Sequence, residues 1–437
     1  MIGLDVNRLP TGWTLSPLDA VSEVVISNVD KKEYDDQQRV KLCNYTDVYY
    51  RDKILDRDDY MPATASQEQI NRFTVQSGDV AITKDSETAD DIGRPSYAPN
   101  NIPGLIYGYH LAIYRPFNKR VGRFMHYIFE SLPIRAELQV RTPGVTRVGL
   151  SMDTLRNLRV PLPTPELAAR IADYLDHETA EIDATIVEQS ALIGLVHERQ
   201  SASIDLAYQE AAQQATQSRP IKYSFRINPT VNKAKRHVPQ NSVYLPMSAL
   251  SEFGKIDTSW SRPTADMMGG YTYIENGDVV VAKVTPCFEN GKGAVIADLP
   301  DGLGFATTEV TNFRSMGPAL AEYLAVIFRT SRFRLGGEAE MTGAGGLRRV
   351  PDRYMNNFKI AELNTQKQRR LIERVGEIDR VSHGLVHDLN KAIEFARERR
   401  AALITAAVTG QIDVTARNKP ASEQLEDDIA QGLHREN

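Results

Sequence analysis

The stretch LPTPELAARIADYLDHETAEIDATI, Leu162 to Ile186, opens among closely spaced prolines (Pro161, Pro163, Pro165) and then runs on as an unbroken helical pattern. A second stretch, LNTQKQRRLIERVGEIDRVSHGLVH, Leu363 to His387, repeats the device nearer the end of the chain. At an offset of 200 residues, TLRNLRVPLP (Thr154 to Pro163) falls on YMNNFKIAEL (Tyr354 to Leu363), with a shared order of apolar, any, Asn, apolar, basic, apolar. The same offset sets Arg170 on Arg370, Ile171 on Leu371, Leu175 on Val375, Glu198 on Glu398, Arg199 on Arg399 and Ile204 on Ile404. No gap is needed over about fifty residues, and a register held that long marks an internal duplication.

Upstream the offset becomes 199 and the agreement thins. FTVQSGDVAITK (Phe73 to Lys84) sits on YTYIENGDVVVAK (Tyr271 to Lys283) once one extra residue is allowed. GYHLAIYR (Gly108 to Arg115) matches TTEVTNFR (Thr307 to Arg314), and FMHYIFES (Phe124 to Ser131) matches YLAVIFRT (Tyr323 to Thr330). The Gly-Asp turn followed by β-branched residues predicts a strand in each copy, and GLIYGYHLAIYRP and GLGFATTEVTNFR predict more. VGRFMHYIFESL and ALAEYLAVIFRT have helical spacing. The chain therefore reads as globular module, long helix, globular module, long helix.

In the second helix Leu371, Val375, Ile378, Leu385, Leu389 and Leu403, with Ala392 and Ala396, follow alternating steps of three and four, a heptad-like seam. The first copy carries Ile171, Leu175, Ile182, Leu192 and Val196, with Ile186 and Ile193 beside them, and its seam is less regular. Packing the two stripes on each other buries both, and with modules between them the pairing is expected to be antiparallel. A helix of roughly 40 residues at about 1.5 Å per residue spans about 60 Å, enough to space two modules.

The 437 residues, with 41% hydrophobic and 25% charged, suit a soluble chain of two or three domains. No run is long and apolar enough to span a membrane, and the first residues, MIGLDVNRLPTGW, do not read as a secretory signal. Cys43 and Cys287, far apart, exclude a disulfide scaffold and a cysteine-rich zinc site, and suit a reducing cytoplasm. The net charge of −5 hides two basic clusters at matched places, between Arg115 and Arg147 and between Arg329 and Arg353.

No catalytic constellation emerges. ENGKGAV (Glu289 to Val295) lacks the upstream glycine and the hydroxyl of a phosphate loop. NPTV (Asn228 to Val231) fails the Asn-Pro-Pro-aromatic pattern of adenine methyltransferases. His383 and His387 stand four apart on a helix without a third ligand, so a solvated face is expected. MTGAGGLRRV (Met341 to Val350) is read as a flexible link into the next helix. These features suit a binding and spacing device.

NLRVPLPTPELAARIADYLDHETAEID, the later ERQ stretch and the terminal AVTGQID (Ala407 to Asp413) resemble the two conserved regions of the specificity subunits of type I restriction–modification systems. The resemblance extends over essentially the whole chain. It departs at Thr164 and Pro165, and at Leu167 and Ala168, where that family usually has a Glu-Gln pair; the second copy keeps Gln368.

The resemblance implies an α+β fold, with two mixed α/β target recognition domains separated and joined by two long helices packed as an antiparallel coiled coil, in an internal pseudo-two-fold repeat. The implied divisions are target recognition domain 1 over 1–150, conserved spacer helix 1 over 151–212, domain 2 over 213–350, spacer helix 2 over 351–413, and an acidic tail over 414–437 expected to be disordered. It further implies a cytoplasmic, non-catalytic subunit that recognises bipartite double-stranded DNA and recruits two methyltransferase (modification) subunits and restriction/translocase subunits. No cofactor is expected in this subunit; S-adenosylmethionine, ATP and Mg are expected in the partners. Half-sites about one helical turn apart, roughly 34 Å, could be met from one DNA face.

The candidate DNA-binding residues are Lys84, Arg115, Lys119, Arg120, Arg141 and Arg147 in the first copy. In the second they are Lys283, Asn290, Lys292, Arg332, Arg334, Arg348 and Arg349. The competing readings are a coiled-coil scaffold that never touches DNA and a stand-alone DNA-binding protein.

Overall fold

In a computed structural model the described residues are 9–142, 148–231, 239–344 and 346–414. The Gly-Asp stretches form strands, Val80–Thr83 and Val279–Ala282, that are buried along their whole length. Both faces are covered, which is why these stretches read as continuous apolar runs and not as alternation. Val80, Ile82 and Tyr114 join one core while Ala81, Leu111 and Ile113 join another, as the two-residue period of a strand requires. In the second copy Val279, Val281 and Phe313 divide from Val280 and Val310 in the same way.

The chain forms two units, Met1–Glu188 with Ala392–Asn437, and Gln189–Lys391. The first holds an antiparallel sheet ordered Ser22–Ile26, Leu111–Pro116, Val80–Thr83, Pro95–Tyr97. Its other four-stranded sheet runs Met61–Ala65, Gln38–Cys43, Ile102–Tyr107, Thr74–Val75, with Gln38–Cys43 parallel to Ile102–Tyr107. The second unit repeats both sheets. One is ordered Phe225–Ile227, Val310–Ser315, Val279–Ala282, Gly293–Val295. The other runs Ser261–Pro263, Asn241–Leu245, Leu303–Ala306, Thr272–Glu275, again with its central pair parallel.

Each module closes on itself just before its long helix. Thr14–Pro17 pairs with Arg159–Leu162, and Ser218–Pro220 with Lys359–Ala361. The stretch Arg159–Leu162, expected as part of the spacer, thus completes a module strand pair. Each long helix then starts at a cap. Thr164 Oγ1 and carbonyl accept the N–H groups of Leu167 and Ala168, with Pro165 in the first turn, where its missing N–H costs nothing. Asn364, at the matched position, accepts from Lys367 and Gln368.

The long helices are Pro165–Gln213 and Thr365–Val408. In the first unit Ala168, Ile171, Ala172 and Leu175 share a core with Ile404, Ala407 and Val408, and Arg400 Nε lies 3.0 Å from Asp183. In the second, Ile204, Ala207 and Tyr208 meet Leu371 and Val375, and Gln200 Nε2 donates to Asp379 at 2.8 Å. Rising numbers on one helix meet falling numbers on the other, so the pairing in each unit is antiparallel.

The seam differs from the heptad expectation. Leu192 (42%) and Leu385 (46%) are exposed. Ile182, Leu371, Val375 and Ile393 are buried, and Ile186, Val196, Ile378, Leu389 and Leu403 are half-buried. The facing residues recur every eleven positions, at Ile171, Ile182, Ile193 and Ile204 and at Leu371, Ser382, Ile393 and Ile404. Eleven residues over three turns is about 3.67 per turn, close to a helix's own 3.6, so the stripe stays on one side where a strict heptad drifts off it. The second helix ends in a Schellman motif. Gly410, at φ 72, donates to Ala407 O at 3.2 Å, and Gln411 donates to Ala406 O at 2.8 Å. A Cβ on Gly410 would stand 2.5 Å from Pro10 Cγ, which gives the AVTGQ ending a structural reason.

Candidate nucleic-acid interface

Much of the basic charge is spent inside the modules. Arg115 forks onto Asp79, Nε to Oδ1 at 2.9 Å and Nη2 to Oδ2 at 3.0 Å. Arg314 forks onto Asp278 in the same way, at 2.7 Å for both bonds. Both carboxylates are buried, and each also accepts a turn N–H, from Gln76 at 2.9 Å and from Glu275 at 2.8 Å. The Gly-Asp motif is therefore a structural clasp, and Arg115 is removed from the DNA-binding candidates. Burial works against its charge, but Asp79 outweighs it and raises the guanidinium's pKa. Arg141 is likewise held, Nε to Glu137 Oε1 at 2.7 Å.

Of the remaining first-module candidates, Lys119 and Arg120 are exposed on the turn Lys119–Val121, and Arg147 lies outside the described residues. In the second module Asn290, Lys292 and Arg334 line a cleft of about 520 Å³ against His197 and His383 of the long helices. Arg334 donates to the Glu289 carbonyl. Arg332 is exposed, its guanidinium 5.3 Å from the Phe358 ring centroid. His383 and His387 are both exposed, as expected.

Lys84 and Lys283 occupy one backbone frame in two copies. Lys84 N–H donates to His110 O at 2.9 Å and accepts Leu150 N–H on its carbonyl at 2.9 Å. Lys283 N–H donates to Glu309 O at 2.9 Å and accepts Val350 N–H at 2.8 Å. The side chains on this frame differ. In the first module Lys84 Nζ is 2.7 Å from both Asp85 oxygens, and His110 Nδ1 is 2.6 Å from Asp85 Oδ2. Burial pushes the Asp85 carboxyl up, but Lys84 and His110 hold it below its ordinary range. In the second, Arg349 forks onto Glu309 at 2.8 and 2.7 Å and lowers that carboxyl's pKa, with Lys283 adding to the effect.

Beside the first crossing, Tyr45, Tyr49 and Tyr50 line a cavity of about 380 Å³ with His110 and Asp85, and Tyr50 stands largely in solvent. Beside the second, Tyr271, Thr272 and Lys283 line one of about 550 Å³. MTGAGGLRRV is not a slack link: Thr342–Ala344 pairs with Leu347–Arg349 as a hairpin.

No family model matches the chain. Two curated Escherichia coli proteins do: the type I restriction enzyme EcoAI specificity subunit, 35% identical over 156 residues (35% of this chain, 26% of that protein), and the EcoEI specificity subunit, 30% identical over 135 residues (30% and 23%). The matched stretch spans about a quarter of those relatives' length. A solved chain from work on assembly and conformational transition of the type I R-M system aligns over 93% of this chain and 100% of its own, at 14% identity and TM-score 0.63. The HsdS subunit from Thermoanaerobacter tengcongensis aligns over 93% and 98%, at 15% identity and TM-score 0.48. The sequence match thus covers about a third of the chain, and the likeness in fold to the type I R-M chain extends over 93% of it.

His110, Asp85, Glu309 and the tyrosines are the polar and aromatic groups that the basic clusters did not mark. A signal is present in the sequence: the repeat sets His110 on Glu309, each in the turn just before the matched strands Leu111–Pro116 and Val310–Ser315. Asp52, His126 and Glu130 come close enough to suggest a metal. Arg123 Nη2 already lies 3.0 Å from Asp52, and Arg400 Nη1 3.1 Å from Glu130. Although burial pushes the Asp52 carboxyl up, His126 and Arg123 hold it well below the usual range. The cluster reads as an internal ion-pair network. The Cys43 thiol is buried and its pKa is pushed up, which suits packing and not nucleophilic attack. Among the described residues no helix is long and apolar enough to cross a membrane.

Proposed function

We propose that the chain is the DNA sequence-specificity subunit of a type I restriction–modification system, reading a bipartite double-stranded target with one half-site per module. The observation that carries this is the pair of Lys84 and Lys283 crossings: one backbone frame twice, with Lys84–Asp85–His110 on one copy and Lys283–Glu309–Arg349 on the other. A duplicated device reading two different base sequences needs a constant frame and variable side chains. Lys119, Arg120 and Arg332 supply exposed charge for phosphate contacts, which set register and make binding fall with salt.

In this reading the chain does no chemistry itself. It works in the cytoplasm and brings two methyltransferase subunits, and restriction/translocase subunits where present, to the target; S-adenosylmethionine, ATP and Mg belong to those partners. Mapping methylated adenines in DNA from cells carrying this chain with its methyltransferase tests it. The expected outcome is a two-part sequence with a fixed gap. Methylation of a single uninterrupted sequence, or none that depends on this chain, overturns the reading.

A further inference from the structure

Every described residue from Thr342 to Arg349 is exposed, including Leu347 at 50%. A free two-stranded ribbon is marginal in water, but this one is rooted. Thr285 Oγ1 accepts Arg348 N–H at 2.9 Å and donates to Gly346 O at 2.8 Å, and Thr285 N–H donates to Arg348 O at 2.9 Å. Thr285 thus holds the turn residue Gly346 and the strand Leu347–Arg349 against the module, and leaves the edge strand Thr342–Ala344 in solvent. A two-stranded ribbon is one of the few protein elements that B-DNA's major groove, about 12 Å wide, admits.

The chemistry on the ribbon narrows the reading. Arg349 gives its Nε and Nη2 to Glu309, while its side chain stays 44% exposed. A carboxylate fork on one edge fixes the guanidinium plane before any ligand arrives, so less side-chain freedom is lost on binding. The Nη1 edge lies outside that fork, and a guanine offers O6 and N7 as an acceptor pair to such a group. Arg348 is tied to Glu289 at 3.1 Å, and the exposed Leu347 suits a thymine methyl. The first module has Gly149 and His110 at the matched positions, so this mode of reading belongs to one module only.

We propose that the paired strands Thr342–Ala344 and Leu347–Arg349 enter the major groove of one half-site and that Arg349, positioned by Glu309, reads a guanine there. This rests on the specificity-subunit reading above. The test uses the full chain assembled with its methyltransferase, carrying Arg349→Lys, Glu309→Gln or, as a surface-charge control, Arg353→Ala. Adenine methylation is mapped, and binding is measured to duplexes in which each target base pair is replaced in turn. In the unsubstituted complex one half-site contains a G·C pair whose replacement weakens binding roughly 10- to 100-fold. Arg349→Lys and Glu309→Gln reduce that discrimination to a few-fold, leave the other half-site as strictly read as before, and Arg353→Ala changes neither.

Retained discrimination at that pair in both variants overturns the proposal. So does uniform weakening across all sequences, which marks a phosphate contact, or loss of all binding in the two variants while Arg353→Ala binds normally, which marks a structural role. Failure of the unsubstituted complex to recognise any bipartite sequence overturns the specificity-subunit reading as well, whereas intact recognition with unaltered variants overturns the ribbon alone.

Discussion

At the scale of single residues, what separates structural from available charge is whether the carboxylate beside it is buried. Asp79 and Asp278 are buried and forked by Arg115 and Arg314. Removing the arginine strands a buried carboxylate, so Arg115→Ala or Arg314→Ala is expected to cost about 3–5 kcal/mol. Lys119→Ala and Arg120→Ala, on exposed side chains, are expected to stay within about 0.5 kcal/mol. Urea midpoints at constant m-value distinguish the two classes; equal effects would mean that Arg115 is not a clasp. Gln368 explains one departure between the copies. Its Oε1 accepts Leu320 N–H at 2.8 Å and its Nε2 donates to Leu363 O at 2.8 Å, joining module and helix. In the first copy the buried Ala168 stands in its place, and the matched N–H, of Val121, is satisfied locally by Asn118 O at 3.1 Å. The amide was dispensable there because a tight turn does its work.

At the scale of elements, the two long helices carry the repeat most plainly because their stripes face constant surroundings. The module helices Leu132–Val140 and Ser331–Ala339 are each pinned to the long helix of the other copy: Leu132 N–H donates to Thr405 Oγ1 at 3.1 Å, and Ser331 N–H to Asp205 Oδ1 at 2.8 Å. The periodicity is legible in the sequence, but a heptad places Leu192 and Leu385 on the seam, one position from Ile193 and three from Ser382 on the eleven-residue line. Ile182→Ala, Ile393→Ala and Ile404→Ala are therefore expected to destabilise by about 2–4 kcal/mol each, through lost burial and a residual cavity. Leu192→Ala and Leu385→Ala are expected to move stability by about 0.5 kcal/mol or less. A thermal-melting series in which the two leucines cost as much as the isoleucines would restore the heptad seam.

At the scale of the whole molecule, the duplication makes the proposed function modular. Exchanging residues 1–150 for those of another such subunit is expected to change one half of the methylated sequence only. Adding four residues, about one helical turn, within 180–195 is expected to lengthen the gap and leave both halves unchanged; altered halves would mean that the helix does not act as a spacer. The sequence by itself determined the repeat, the long helices and the strand-rich modules, because these depend on order and periodicity along the chain. Only the tertiary structure decided which basic residues are free. Arg115 meets its acid 36 positions away, Arg329 pairs with Asp379 at a separation of 50, and Arg400 reaches Glu130 across 270. The same holds for MTGAGGLRRV, a ribbon because Thr285 roots it from 63 positions upstream of Arg348. Charge compensation and loop anchoring depend on which groups meet in space, and folding alone brings those partners together.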